Sequence, residues 1–186
     1  ASLGDILGLV STIESPKVSS VVKSGALTEQ VIFNFRSTSV FSVERNNQDP
    51  AAALSVRKAF LNLIPKNRII TGISQNYSVT SSDSLVFSSG MNYYDSSVSE
   101  NGLTEYLFQD VEKASELMAE SGLELPRKVR VVFDTDNPRA QAAWILLRER
   151  ALSAGFKLKD LSSQDPTQVL ASGDFDVYIG ARPVVS

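Results

Sequence analysis

Apolar residues follow two rhythms along this chain, and the last third keeps them most strictly. Leu107, Val111, Ala114, Leu117 and Met118 lie at helical spacing, and Gly122 stands where a helix commonly stops. Residues 129–133 (VRVVF) read instead as a short buried strand. A second helical stripe follows in Ala140, Ala143, Trp144, Leu147 and Ala151 and ends near Gly155; its spacing makes Trp144 a core residue before a ligand-stacking one. Asp136-Asn137-Pro138 marks its start, with Asp136 as the expected cap at the helix's positive end and Pro138 near the first helical position. Residues 156–161 form a further strand, 166–171 a short helix and 175–179 (FDVYI) a last strand. This β-α-β-α-β order predicts parallel strands joined by right-handed helical crossovers, hence an α/β domain with helices covering a sheet.

The earlier part of the chain is less regular. Leu3, Ile6, Leu7, Leu9 and Val10, punctuated by Gly4 and Gly8, suit a short strand, with a helix as the rival reading. Ser15-Pro16 opens a helical segment whose face is Val18, Val21 and Val22, and Gly25 stops it. Residues 30–36 (QVIFNFR) alternate Val31, Phe33 and Phe35 with Ile32, Asn34 and Arg36, a strand with one wetter face. Turn residues at 46–50 lead into a helix over 51–64, where Leu54, Phe60, Leu61 and Ile64 share one side and Pro65 ends it. A short helix covers 66–72. From about 73 to 103 Ser, Asn, Thr and Asp dominate without a period, which predicts a long polar surface excursion. Tyr93 and Tyr94 in that excursion have two readings, lining a cleft or packing locally under the loop.

Composition narrows the function. The 186 residues, 42% of them hydrophobic, suffice for one good core, so 1–186 reads as a single domain. A charged fraction of 21% that sums to −3 predicts no basic face for nucleic acid or an anionic membrane. The chain has no cysteine and no histidine, which sets aside disulfides, thiolate sites and most triad or zinc chemistry. No apolar run approaches the roughly 18 residues of a membrane span, and the start at Ala1 lacks a signal peptide's basic and apolar segments. That does not argue for the cytoplasm, because such a peptide is removed on export.

Several stretches, taken in order, carry a resemblance. Asn34 lies within an apolar strand (VIFNF, 31–35), and LSVRKAFL (54–61) is similar to a following VRxAL helix. RIITG (68–72) comes next, then Tyr106 with DVEKASELMAESG (110–122), which resembles Y-x-x-D-x-x-K-A-x-x-L-L-x-E-A-G. The long helix with Gln141, the Ala154-Gly155-Phe156 break and GDFDVY (173–178), similar to G-x-F-D-V, complete the series. Over about residues 28 to 180 this resembles the extracellular solute-binding proteins, family 5, of oligopeptide, dipeptide and nickel ABC importers.

The resemblance implies a periplasmic-binding-protein-like lobe of type II, with a mixed, mostly parallel sheet covered by helices. It corresponds to the second lobe of a two-lobe receptor that holds its solute between the lobes. Implied partners are the first lobe of the same protein, a peptide or other small solute and a membrane permease, with no cofactor, no metal and no enzymatic step. The implied location is the extracellular face of the cell membrane or the periplasm, with a lipid anchor on the full-length lipoprotein. By their place around the last strand, Gln164, Asp165, Gly180 and Arg182 are the implied ligand-binding residues. Arg182 stands near the place of a family tryptophan, and no following aspartate is present to meet a peptide's amino terminus. A cation there favours an acidic ligand group or contacts the other lobe, the alternative being a solvated end.

One rival chemistry is written in the sequence. VVFDTD (131–136) is an apolar strand ending in D-x-D, as in magnesium-dependent phosphatases of the haloacid dehalogenase class, where Asp134 would be nucleophile and Asp136 acid/base. Pro138 stands where that class has Thr or Val, and no later Lys or paired-aspartate motif completes it. Asp174 and Asp176 also look like a carboxylate pair, but at a strand entrance the expectation is two solvated turn residues.

Overall fold

The structure, a computed structural model, describes residues 27–74 and 103–183. The elements predicted over 3–10 and 16–25, and the polar stretch 75–102 with Tyr93 and Tyr94, lie outside the described residues. In chain order the elements are β1 (Leu27–Phe33), α1 (Pro50–Leu63), α2 (Lys66–Ser74), a 3-10 turn (Leu103–Tyr106), α3 (Val111–Glu120), β2 (Arg127–Phe133), α4 (Pro138–Ala151), β3 (Phe156–Asp160), α5 (Thr167–Ser172) and β4 (Val177–Pro183). The ends of the polar excursion are thus helical, with α2 running to Ser74 and the 3-10 turn starting at Leu103.

The sheet order is β1-β4-β2-β3. β2 is parallel to both β3 and β4, while β1 lies antiparallel along β4, so the sheet is mixed and mostly parallel as expected. The chain passes through α4 to the neighbouring β3, then back through α5 across β2 to β4. Alternation along the strands explains the sidedness. Val129, Val131 and Phe133 of β2, Val177 and Ile179 of β4 and Val31 and Phe33 of β1 join the core with α1, α3 and α4. Within it Phe33 stacks on Phe41 at 4.5 Å, and Phe60 meets Phe33, Phe41 and Phe156 edge to face at 5.2 to 5.4 Å. Each such pair adds about 0.5–1.5 kcal/mol to the burial of its apolar area.

Trp144 is buried as predicted and lies 5.7 Å from the Phe133 ring. Three local expectations change. On α1 the buried face is Val56, Ala59, Phe60 and Leu63, whereas Leu54 is 48% exposed; the i, i+3, i+4, i+7 series is satisfied one step round from the stripe chosen by residue size. β1 stops at Phe33, because the Asn34 side chain turns inward and donates to the carbonyls of Gly173 (2.9 Å) and Phe175 (2.7 Å). Phe35, expected in the strand, is 58% exposed with the Arg57 guanidinium 5.0 Å from its ring centre. The cap of α4 is Asn137, whose Oδ1 accepts from the backbone of Arg139 and Ala140; Asp136 lies one residue too early and is exposed.

The largest departure is Asp176. Asp174 is exposed as expected, but Asp176 is 1% exposed and every acceptor direction of its carboxylate is used. Oδ1 accepts from Val40 N and Arg130 Nη2, both at 3.0 Å, and Oδ2 from Arg130 N (2.7 Å) and Arg130 Nε (3.0 Å). Arg130 Nη2 also donates to the Thr38 carbonyl at 3.1 Å. The hydrogen bonds to Asp176 raise the guanidinium's pKa above its already high ordinary value, against the opposing effect of burial. Asp176 thus ties the entrance of β4 to β2 and to the segment after β1.

Candidate functional site

In open α/β sheets, ligands bind beyond the carboxyl ends of the strands. At that edge β2 ends at Phe133 opposite Ile179, and β4 continues to Pro183 paired only with β1. Gly180 faces Gln30, Ala181 faces Glu29, Arg182 faces Thr28 and Pro183 faces Leu27. The β1–β4 ribbon therefore overhangs the end of the parallel sheet. An ion pair of 2.7 Å between Glu29 and Arg139 pins this overhang to the first turn of α4.

Gly180 is buried, and a Cβ at this position would run into the Tyr178 ring. Its backbone is not in the left-handed region, so it is space for the ring that requires glycine here. Two residues apart on one strand, Tyr178 and Gly180 share a face, and the ring lies along β4 toward the overhang.

Gln164 and Asp165 occupy the exposed turn between β3 and α5. Asp165 Oδ1 accepts from the Thr167 backbone at 3.0 Å, and the hydrogen bonds from Thr167 hold its carboxyl below the ordinary value of 3.8. The exit of β2 lies between this turn and the ribbon, and it is stitched to the exit of β3: Thr135 N donates to the Ser163 carbonyl (3.0 Å), and Ser163 N to that of Phe133 (3.2 Å). Gln141 Nε2 donates back to the Thr135 carbonyl. All four implied residues thus lie along one edge, Gly180 and Arg182 on the ribbon and Gln164 and Asp165 beyond β3.

Sequence reasoning passed over three contributors to that edge: the Asp134–Asn137 exit, Tyr178 and the Glu29–Arg139 pair. The alternation of Tyr178 with Gly180 was a readable signal for the second; the ion pair joins residues 110 positions apart and had none. The D-x-D reading finds no support in the geometry. Asp134 Oδ1 accepts from the Asp136 backbone at 2.7 Å, a local turn, and among the described residues no group of three or more carboxylates could hold a metal ion.

These features define an α/β unit whose candidate ligand edge is built from the overhang of one strand pair and the exits of two parallel strands. The chain belongs to the bacterial extracellular solute-binding proteins, family 5 Middle, whose model matches residues 8–183. That family is one of solute-binding proteins, not of enzymes. No curated protein sequence matches the chain.

Solved structures share its fold. An oligopeptide-binding protein, OppA, aligns over 98% of this chain and 30% of its own, with 16% identity and a TM-score of 0.66. The periplasmic binding protein MelB of Agrobacterium fabrum C58, solved with stachyose, aligns over 96% and 29%, with 13% identity and a TM-score of 0.66. NikA from Staphylococcus aureus, solved with Ni(L-His)2, aligns over 86% and 30%, with 18% identity and a TM-score of 0.59. The chain therefore spans about a third or less of the length of the structures it matches. At these identities the likeness is one of fold, and the ligands named belong to those proteins.

Proposed function

We propose that this chain is the second lobe of a two-lobe receptor that binds a peptide or another small solute reversibly and delivers it to the permease of an ABC importer. The overhanging ribbon is the observation that carries this reading. Because Leu27 pairs with Pro183, the start of β1 and the end of β4 lie side by side, at the edge where such sheets bind ligands. Two adjacent strands are a natural hinge, and closure over the edge would exclude water from the hydrogen bonds made there. Gln164, Asp165, Gly180 and Arg182 would line this lobe's half of the cleft, with Tyr178 as its aromatic wall. The family's character supports placement outside the cell membrane, and a lipid anchor on the full-length protein is part of the proposal.

The test compares the full-length protein with residues 1–186 alone against peptides, an oligosaccharide and a histidine–nickel complex by calorimetry. Micromolar binding of one of these by the full-length protein, at least about tenfold weaker in the isolated lobe, is expected. Equal affinity of the two would show that no second lobe shares the site.

A further inference from the structure

At the opposite end of the sheet, where the chain enters β2 and β4, lies an open concavity of about 790 Å³. Its polar wall carries Arg45, Arg127, Lys128, Arg130 and Lys159. Three carboxylates also line it, but they do not balance those cations. Asp176 is fully occupied by Arg130 and Val40 N, and Asp174 lies 3.5 Å from the same guanidinium. Five cations against three carboxylates leave the hollow with two excess positive charges, and Arg45, Arg127, Lys128 and Lys159 have Glu124 as the remaining carboxylate of the lining. A cationic hollow on a chain of net charge −3 runs against its average, and the expectation of no basic face fails here because net charge carries no information on clustering.

Two further observations point to a missing counter-charge. Strand register sets Lys128 beside Lys157 and Arg130 beside Lys159, placing like charges next to each other on one face of the sheet. Arg127 Nη2 donates to the Arg45 carbonyl (2.6 Å) and to Asn46 Oδ1 (3.3 Å), whereas its Nε is the buried side-chain polar atom without a hydrogen-bond partner among the described residues. Burial first, and then the Arg45 charge, push the Arg127 guanidinium below its ordinary pKa, with Glu124 only partly opposing them. A multiply charged anion would offset the crowded positive charge of these side chains together.

We infer that this concavity binds a phosphate-bearing ligand, its phosphate held by Arg127, Arg45, Lys128 and Lys159. Guanidinium forks match phosphate oxygens in bidentate geometry, and the lysines add charge without directional demand. The hollow exceeds a bare phosphate, and Val40, Leu125 and Pro126 give it an apolar side for an organic portion. The phosphate belongs either to a soluble ester or to a lipid headgroup. This site lies at the end of the sheet away from the proposed solute cleft, so the two readings fail separately.

The experiment titrates residues 1–186 with inorganic pyrophosphate at low ionic strength by calorimetry, and measures sedimentation with vesicles of phosphatidylcholine with or without phosphatidylglycerol. Saturable binding of either probe is expected, weakened roughly tenfold or more in R127Q and in K128Q/K159Q, and unchanged in K113Q, whose lysine is not part of the hollow's lining. Lys128 and Lys159 are exposed, so their double variant keeps the test valid if R127Q fails to fold. Pyrophosphate binding without vesicle binding assigns a soluble ligand; vesicle binding dependent on phosphatidylglycerol assigns the headgroup. No binding of either probe, binding indifferent to both variants, or equal binding of succinate overturns the inference.

Discussion

The two ends of the sheet are held by different kinds of hydrogen bond. At the entrance edge the polar contacts span long stretches of chain: Asp176 reaches Val40 and Arg130, Asn34 reaches Gly173 and Phe175, and Arg127 reaches Arg45. At the exit edge most side-chain acceptors serve their own turn. Asp134 accepts from Asp136, Asp160 from Ser162, Asp165 from Thr167 and Asn137 from Arg139, with the Glu29–Arg139 pair as the long-range exception. Long-range bonds at the first edge fix strands against one another, and removing one partner strands the other in the interior. Local turns at the second edge hold each loop in shape on its own. Long-range ties and local turns thus sit at opposite ends of the same strands.

The sharpest way to break this contrast is Asp176→Ala, which leaves the Arg130 guanidinium without its main partner. Loss of one member of a largely buried pair costs about 3–5 kcal/mol, read as a lower urea midpoint at unchanged slope. A loss below about 1 kcal/mol would mean that the entrance edge is not locked by this carboxylate. Asn34→Ala comes next. It frees two carbonyls and should lower stability by about 1–3 kcal/mol in the same measurement.

On the exit edge the effects shrink. Asn137→Ala removes the cap of α4 and should cost about 1 kcal/mol, while Asp136→Ala should stay within about 0.5 kcal/mol by thermal unfolding. The reverse order would restore Asp136 as the cap. Asp165→Asn should have the smallest effect, and it should depend on pH. Because the folded carboxyl titrates below its ordinary value of 3.8, its stabilising contribution is present above that value and fades as pH falls through the lower, folded one. The variant and the native chain should therefore differ slightly at neutral pH and converge below 3.8 in acid titrations followed by circular dichroism.

Much of the fold was legible because burial has a period. The stripes 140/143/144/147/151 and 114/117/118 mark helices whatever they pack against, and the glycines at 122 and 155 adopt the positive φ that ends them. Where two apolar faces competed, as on α1, Val56 and Ala59 were buried with Phe60 and Leu63 while Leu54 stayed exposed, so residue size alone did not mark the inner face. The site was legible to the extent that strand exits in a β-α-β order must share an edge. The Glu29–Arg139 ion pair was not, since it depends on which strand lies beside which.

By itself, then, the sequence determined most elements of the described residues, the parallel order of β2, β3 and β4, the family and the edge at which Gln164, Asp165, Gly180 and Arg182 lie, all consequences of local period and chain order. Only the tertiary structure decided that Asp176 is a buried lock while Asp174 stays in water, and that cations from 45, 127, 128 and 159 converge in one hollow. Electrostatics acts through space, and residues far apart in sequence reveal their charges to one another only once the sheet has set their distance.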